Sequence, residues 1–261
     1  MAVDRTLVQI RERSFLDILD LALVVIRHRP MTIGVTAALG IAPWALLNAW
    51  ILRDVEEMRV VGHLWAIALE APFATAPLTV VLGGMMFGST PRPGQVLGTM
   101  LRHLVPLLTY QFVLRSILLV SIVLAWLIPV RQVFMNEVLL LERGKWRRAW
   151  ARCTDLSSDR GGELFSQWMV QVIFGAVFVL AFWFASGQVL SVFEGELTWG
   201  YSELDFVFNA WIVVGAWIAV AFFAVVRFLT YIDQRIRLEG WEVELRLRAV
   251  GRAMNEDSDA W

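Results

Sequence analysis

Residues 104–141 constrain this chain more than any other stretch. They read LVPLLTYQFVLRSILLVSIVLAWLI, then Pro129, then VRQVFMNEVLLL. The first arm is apolar except for Arg115 and a few small polar residues, and the second is short and carries Arg131, Asn136 and Glu137. Another pair of apolar segments lies on each side of this hairpin. A water-soluble domain is about 45–50% apolar. This chain is 58% hydrophobic, with a mean hydropathy of +0.61. The surplus has to be buried in lipid, so the expected class is an all-α polytopic membrane helix bundle.

Six spans are expected, at residues 31–52, 63–88, 104–128, 129–141, 164–186 and 206–229. The first has 22 residues, which rise about 33 Å as a helix and cover the ~30 Å hydrocarbon core. Pro43 is expected to kink it, and Pro72 and Pro77 to bend the second. The fourth is short: 13 residues rise only about 20 Å, so it either crosses with help from the residues after it or re-enters. Gly84 and Gly88 form a GxxxG step that either admits a close helix neighbour or ends the span. Before the first span, Ser14 and Asp17 resemble a capping box. Phe15, Ile18, Leu19, Ala22, Leu23 and Ile26 then share one helix face, as in a helix lying at a membrane surface. Amphipathic runs also precede the third and fifth spans, so the chain reads either as three units of surface helix plus hairpin or as ordinary loops of a six-span protein.

Basic residues set the orientation. Of the 23 Lys and Arg residues, 19 fall before the first span, between the second and third, between the fourth and fifth, or from Arg227 onward. Arg53, Arg59 and Arg131 fall on the other side, and Arg115 in the membrane. Both termini are therefore expected in the cytoplasm. The organisation expected is an N-terminal and interfacial part (1–30), a membrane domain (31–230) and a cytoplasmic amphipathic tail (231–261). The first 13 residues are charged throughout, unlike a cleavable signal, so the first span is expected to remain as an anchor.

Several function classes lose support here. A net charge of -1 argues against a nucleic-acid binder. Cys153 is the single cysteine, which excludes an internal disulfide and a cysteine-based metal site. The chain has no GxSxG, no HExxH, no phosphate loop and no cysteine near a histidine. No catalytic residue, metal or cofactor is assigned.

The candidate sites are charged and polar residues in apolar context. A charge in a span costs roughly 2.5–3.5 kcal/mol on insertion scales, so Arg115 should face protein or water. Arg115 and Glu142 are each about 20 Å from the Pro129 bend by helix rise, and Glu137 sits nearer. The expected buried pair is Arg115 with Glu142 or Glu137, and Glu70 is a further possible partner. It serves either as a structural lock or as part of an ion or lipid-headgroup pathway. Arg131 and Asn136 make the fourth span polar, either in a shielded hairpin or at a substrate site. Arg147, Arg148, Arg152, Arg235 and Arg237 form a basic patch for anionic lipid or a protein partner, or simply record the topology. WEVELRLR alternates like a strand. Its acid-first i,i+4 pairs Glu242–Arg246 and Glu244–Arg248 favour a helix, with Gly240 as a break.

Three stretches carry a family resemblance: PLTVVLGGMMFG, VLLLERGKWRRAWARCTDLSSDRGGELF and YIDQRIRLEGWEVELRLR. The last holds a Tyr-x-Asp-x-Arg-x-Arg-x-Glu-Gly pattern on Tyr231, Asp233, Arg235, Arg237, Glu239 and Gly240. Together they resemble uncharacterised six-span bacterial inner-membrane proteins similar to the membrane domain of glycerophosphoryl diester phosphodiesterases. The resemblance covers residues 14 to about 248, and its motifs are loose except in the tail. It implies six spans, no established activity, and a setting beside a MoxR-type ATPase and a transglutaminase-like membrane protein. The phosphodiesterase reaction is not carried over, because His28-Arg29 stands before Pro30 without the clustered carboxylates that chemistry needs.

The expected role is a non-catalytic partner or scaffold of a membrane complex. Its partners would be membrane lipids, anionic ones included, and other membrane proteins. The alternative is a transporter or lipid-handling protein using the polar residues of spans three and four.

Overall fold

A computed structural model describes residues 14–52, 59–86, 91–121, 127–142, 146–158, 160–194 and 205–239. Among these the regular structure is entirely helical. The elements are α1 (Phe15–His28), α2 (Pro30–Ile51), α3 (Arg59–Ala74), α4 (Ala76–Met86), α5 (Pro93–Arg102) and α6 (Leu104–Leu108). After a π-helical turn (Thr109–Leu114) come α7 (Arg115–Val120), α8 (Leu127–Arg131), α9 (Met135–Leu141), α10 (Trp146–Ser158), α11 (Gly161–Glu194) and α12 (Asp205–Glu239).

Among the described residues, four helical stretches are long and apolar enough to cross a membrane: Pro30–Ile51, Val60–Met86, Gly161–Val189 and Ala210–Leu238. They coincide with the first, second, fifth and sixth predicted spans. The third and fourth differ from expectation. Residues 104–120 break into α6, the π turn and α7, and the return arm divides into α8 and α9 at a bend over Gln132 to Phe134. Among the described residues neither forms one helix of spanning length.

The capping box forms as its sequence suggests: Ser14 Oγ accepts from the Asp17 backbone N–H, and an Asp17 carboxylate oxygen accepts from the Ser14 N–H. Ile18, Ala22 and Val25 of α1 are buried in the main apolar core, with Phe15, Leu19 and Ile26 packed against it. Leu23, expected on the same face, is exposed. α1 packs against α12 and α2. The second span breaks at Thr75 between α3 and α4. Pro77 has no N–H to donate, and its ring excludes the carbonyl one turn earlier. At this break Gly40 of α2 comes against the Ala74 carbonyl, an approach that leaves no room for a Cβ. Gly83, next to the glycine step anticipated at 84–88, packs on Leu141: a Cβ there would lie 2.6 Å from its Cδ2.

Contacts between the spans fix their relative directions. Asn48 meets Glu70 while Gly40 meets Ala74, so α2 runs opposite to the second span. Ile67 and Ala74 share a cluster with Ala216 and Trp217, and Thr75 meets Arg227, so the second span runs parallel to α12. Gly175 faces Phe223 and Gly215 faces Phe182, so α11 runs antiparallel to α12. Pro30, Met86, Gly161 and Glu239 therefore lie on one side of the bundle. The outward flank of α11 is bare and apolar, with Val172, Ile173, Phe174, Val177 and Leu180 exposed, as a lipid-facing surface is.

α12 continues without a break from the last span through Tyr231 to Glu239, so the tail begins as the same helix. Arg131, expected opposite the basic segment, instead lies against it: its carbonyl accepts from Cys153 Sγ at 3.3 Å and Ser157 Oγ at 3.4 Å of α10. The predicted helix over WEVELRLR and its break at Gly240 lie outside the described residues.

Candidate functional site

Two polar clusters meet on α9, a seven-residue helix buried from Met135 to Leu140. The first lies inside the bundle at the break of the second span. Asn136 Nδ2 donates to the Pro72 carbonyl at 2.6 Å, which holds α9 against the break. Glu137 is wholly buried. Its Oε1 accepts from Arg227 Nε of α12 at 2.7 Å, and Arg227 Nη2 also reaches Thr75 Oγ1 at 3.4 Å. Glu137 Oε2 is buried with no hydrogen-bond partner. About one turn before Thr75, on α3, Glu70 accepts from Asn48 Nδ2 at 2.6 Å. This arrangement ties α2, the broken span, α9 and α12 together through side chains that would otherwise be unsatisfied in lipid.

The second cluster lies where α9 ends. Glu142 Oε1 accepts from the Tyr231 hydroxyl at 2.8 Å, and Oε2 from Arg152 Nε at 3.3 Å. Arg235 Nε stands 4.0 Å from the same carboxylate, and its guanidinium lies 5.8 Å from the centre of the Tyr231 ring. Gln234 Nε2 donates to the Leu156 carbonyl at 2.9 Å, and its Oε1 accepts from Arg160 Nη1 at 3.3 Å. Asp233 is paired with Arg237 on its own helix at 2.7 Å. The lower part of α12 thus clamps α10. Ala149, Cys153, Leu156 and Ser157 form the inward stripe of α10, while Arg147 and Arg148 stay exposed. Burial pushes the Cys153 thiol up to about 12, so it remains protonated and a poor nucleophile.

The expected partner of the two acids is corrected. The arginine bonded to Glu137 is Arg227, and Glu142 takes Arg152 and Tyr231. Arg115 opens α7 just after the π turn, within electrostatic range of Tyr110 and Arg227. The reason is geometric. Placing Arg115 level with Glu142 assumes two straight arms meeting at Pro129, whereas the first arm carries a π-helical turn before Arg115 and the return arm bends at Gln132 to Phe134. Of the tail motif, Tyr231, Asp233, Arg235 and Arg237 belong to or adjoin the clamp, Glu239 closes α12, and Gly240 lies outside the described residues.

The sequence reading missed Arg227, Thr75, Asn48 and Gln234. Arg227 does carry a signal, since it stands inside the apolar run FFAVVRFLT, but a positive-inside reading assigns it only to orientation. Among the described residues, no three His, Cys, Asp or Glu side chains gather as a metal set.

No protein-family model, curated protein or solved structure matches the chain. The family resemblance therefore rests on the residues quoted for it alone.

Proposed function

We propose that this is a non-catalytic scaffold or partner subunit of a complex in a bacterial cytoplasmic membrane, with both termini on the cytoplasmic side. The observation that carries the reading is the clamp. α10 is fixed to the last membrane helix through Glu142, Tyr231 and Gln234 while Arg147 and Arg148 point outward. A basic helix held rigidly to a membrane bundle presents charge to a partner without an ordering cost at docking. The partners are other membrane proteins, with anionic lipid at the same face. Inside the bundle Asn48 is bonded to Glu70, Asn136 to the Pro72 carbonyl and Glu137 to Arg227, which suits a structural frame better than a passage.

A second reading, transport or lipid handling, has one observation in its favour. Glu137 Oε2 has no donor inside the membrane bundle, and intramembrane carboxylates mark ion pathways in transporters.

The test is affinity purification in mild detergent from native membranes, comparing the wild type with Arg147→Glu/Arg148→Glu. A protein retained in fixed proportion by the wild type and lost from the variant is the expected result. Equal recovery of that protein with both would remove the platform from the interaction.

A further inference from the structure

We infer that two re-entrant arms, residues 104–121 and 127–131, enter and leave on the side of α10, so that the chain crosses the membrane four times. The argument starts at the foot of the return arm. Val130 packs on Gly161, where an added Cβ would lie 3.0 Å from Val130 Cγ1. The Arg131 carbonyl is bonded to Cys153 and Ser157. The candidate span that begins at Gly161 has 29 residues, a rise of about 43 Å against a ~30 Å hydrocarbon core. Its first turn also carries the exposed Glu163. Gly161 therefore sits at or beyond the membrane surface, and Val130 sits beside it. The span ending at Met86 and the span starting at Gly161 meet the same side of the bundle, so the chain between them begins and ends there.

The arms are too short to cross and return. Residues 104–120 are 17 residues of helix, about 26 Å if straight and upright, and ten residues remain to reach Val130. α7 already packs beside α8, and the Tyr110 hydroxyl donates to the Gln132 carbonyl at 3.3 Å, so the two arms lie side by side. Two full crossings would need about 40 residues. The positive-inside pattern improves as well, because Arg131 joins the basic side and leaves only Arg53 and Arg59 opposite. The open cleft of about 510 Å³ beside Val130, Arg131, Ser157 and Gly161 then faces the cytoplasm.

The experiment uses single-cysteine full-length chains in a Cys153→Ala background, labelled with a membrane-impermeant maleimide in right-side-out and inverted vesicles. Gly94→Cys reports the α10 side and Val61→Cys the opposite side. Arg131→Cys is expected to label with Gly94→Cys. Labelling with Val61→Cys, or from neither side, would overturn the hairpin. An independent check is the pair Val130→Cys/Gly161→Cys. Their Cβ atoms lie within about 4.5 Å, inside disulfide reach. Oxidation is expected to close the bond, whereas a chain that carries residue 130 to the far surface leaves both thiols free.

Discussion

Glu137 and Arg227 lie 90 residues apart in sequence and 2.7 Å apart in space, with the glutamate side chain fully shielded and the arginine side chain 21% exposed. Removing one partner leaves a charge in a low-dielectric interior, which costs about 3–5 kcal/mol in buried pairs, whereas an apolar replacement of both is close to neutral. Glu137→Met alone should therefore lower the unfolding midpoint in detergent sharply, and Glu137→Met/Arg227→Met should recover most of the loss. A single variant as stable as the wild type would contradict the lock.

Asn136 acts on the neighbouring turn. Its amide donates to a carbonyl at the break between α3 and α4. Hydrogen bonds between membrane helices are worth about 0.6–2 kcal/mol, so Asn136→Leu should cost that much in an unfolding titration, well below Glu137→Met.

Gly40 and Gly34 offer a matched pair on one helix. A Cβ at Gly40 meets the Ala74 carbonyl, and a Cβ at Gly34 meets nothing within 4 Å. Overpacking costs about 1–3 kcal/mol. Gly40→Ala should destabilise by that amount and Gly34→Ala should be neutral or slightly stabilising, measured side by side in the same detergent.

Cys153 supplies a pH test. Its thiol is raised from the usual 9.0 to about 12 by burial, so the folded chain holds the proton more tightly than the unfolded one. The contribution is complete below pH 9 and is lost as pH rises toward 12. Stability should fall through that alkaline window more steeply in the wild type than in Cys153→Ala. At neutral pH a maleimide should react with Cys153 only after denaturation; rapid labelling of native protein would show that α10 is not seated.

The parts of this fold that depend on local sequence were legible in it. Length and apolarity alone mark residues 31–52 and 164–186 as spans, and the Ser14 cap is written in four residues. Glu70, Asn136, Glu137 and Glu142 could be singled out because a charge or amide in an apolar run needs a partner. Which partner it finds is a tertiary matter. Arg115 and Arg227 both sit in apolar runs, and only the inserted position of α9 decides that Arg227 reaches Glu137. Asn48, an amide in an apolar run, carries the same signal as Asn136 without naming its partner, and Thr75 carries none, because a small hydroxyl can bond back to its own helix. For the third and fourth predicted spans, composition reports burial in lipid or protein without telling them apart. α9 is apolar because it is enclosed by other helices.

The clamp makes a local prediction. Tyr231→Phe removes one bond to the Glu142 carboxylate, and hydrogen bonds to charged groups are worth about 1.5–3 kcal/mol. Hydrogen exchange in α10 should quicken by roughly one to two orders of magnitude, with exchange in α2 unchanged.

Native mass spectrometry of the wild-type particle, released from mild detergent, tests the scaffold reading most directly. The account predicts a mass that exceeds the 29.6 kDa chain by a second protein in fixed stoichiometry, reduced to the chain alone by Arg147→Glu/Arg148→Glu. A particle that contains only this chain and bound phospholipid, from membranes with their full complement of proteins, would contradict it and favour lipid handling.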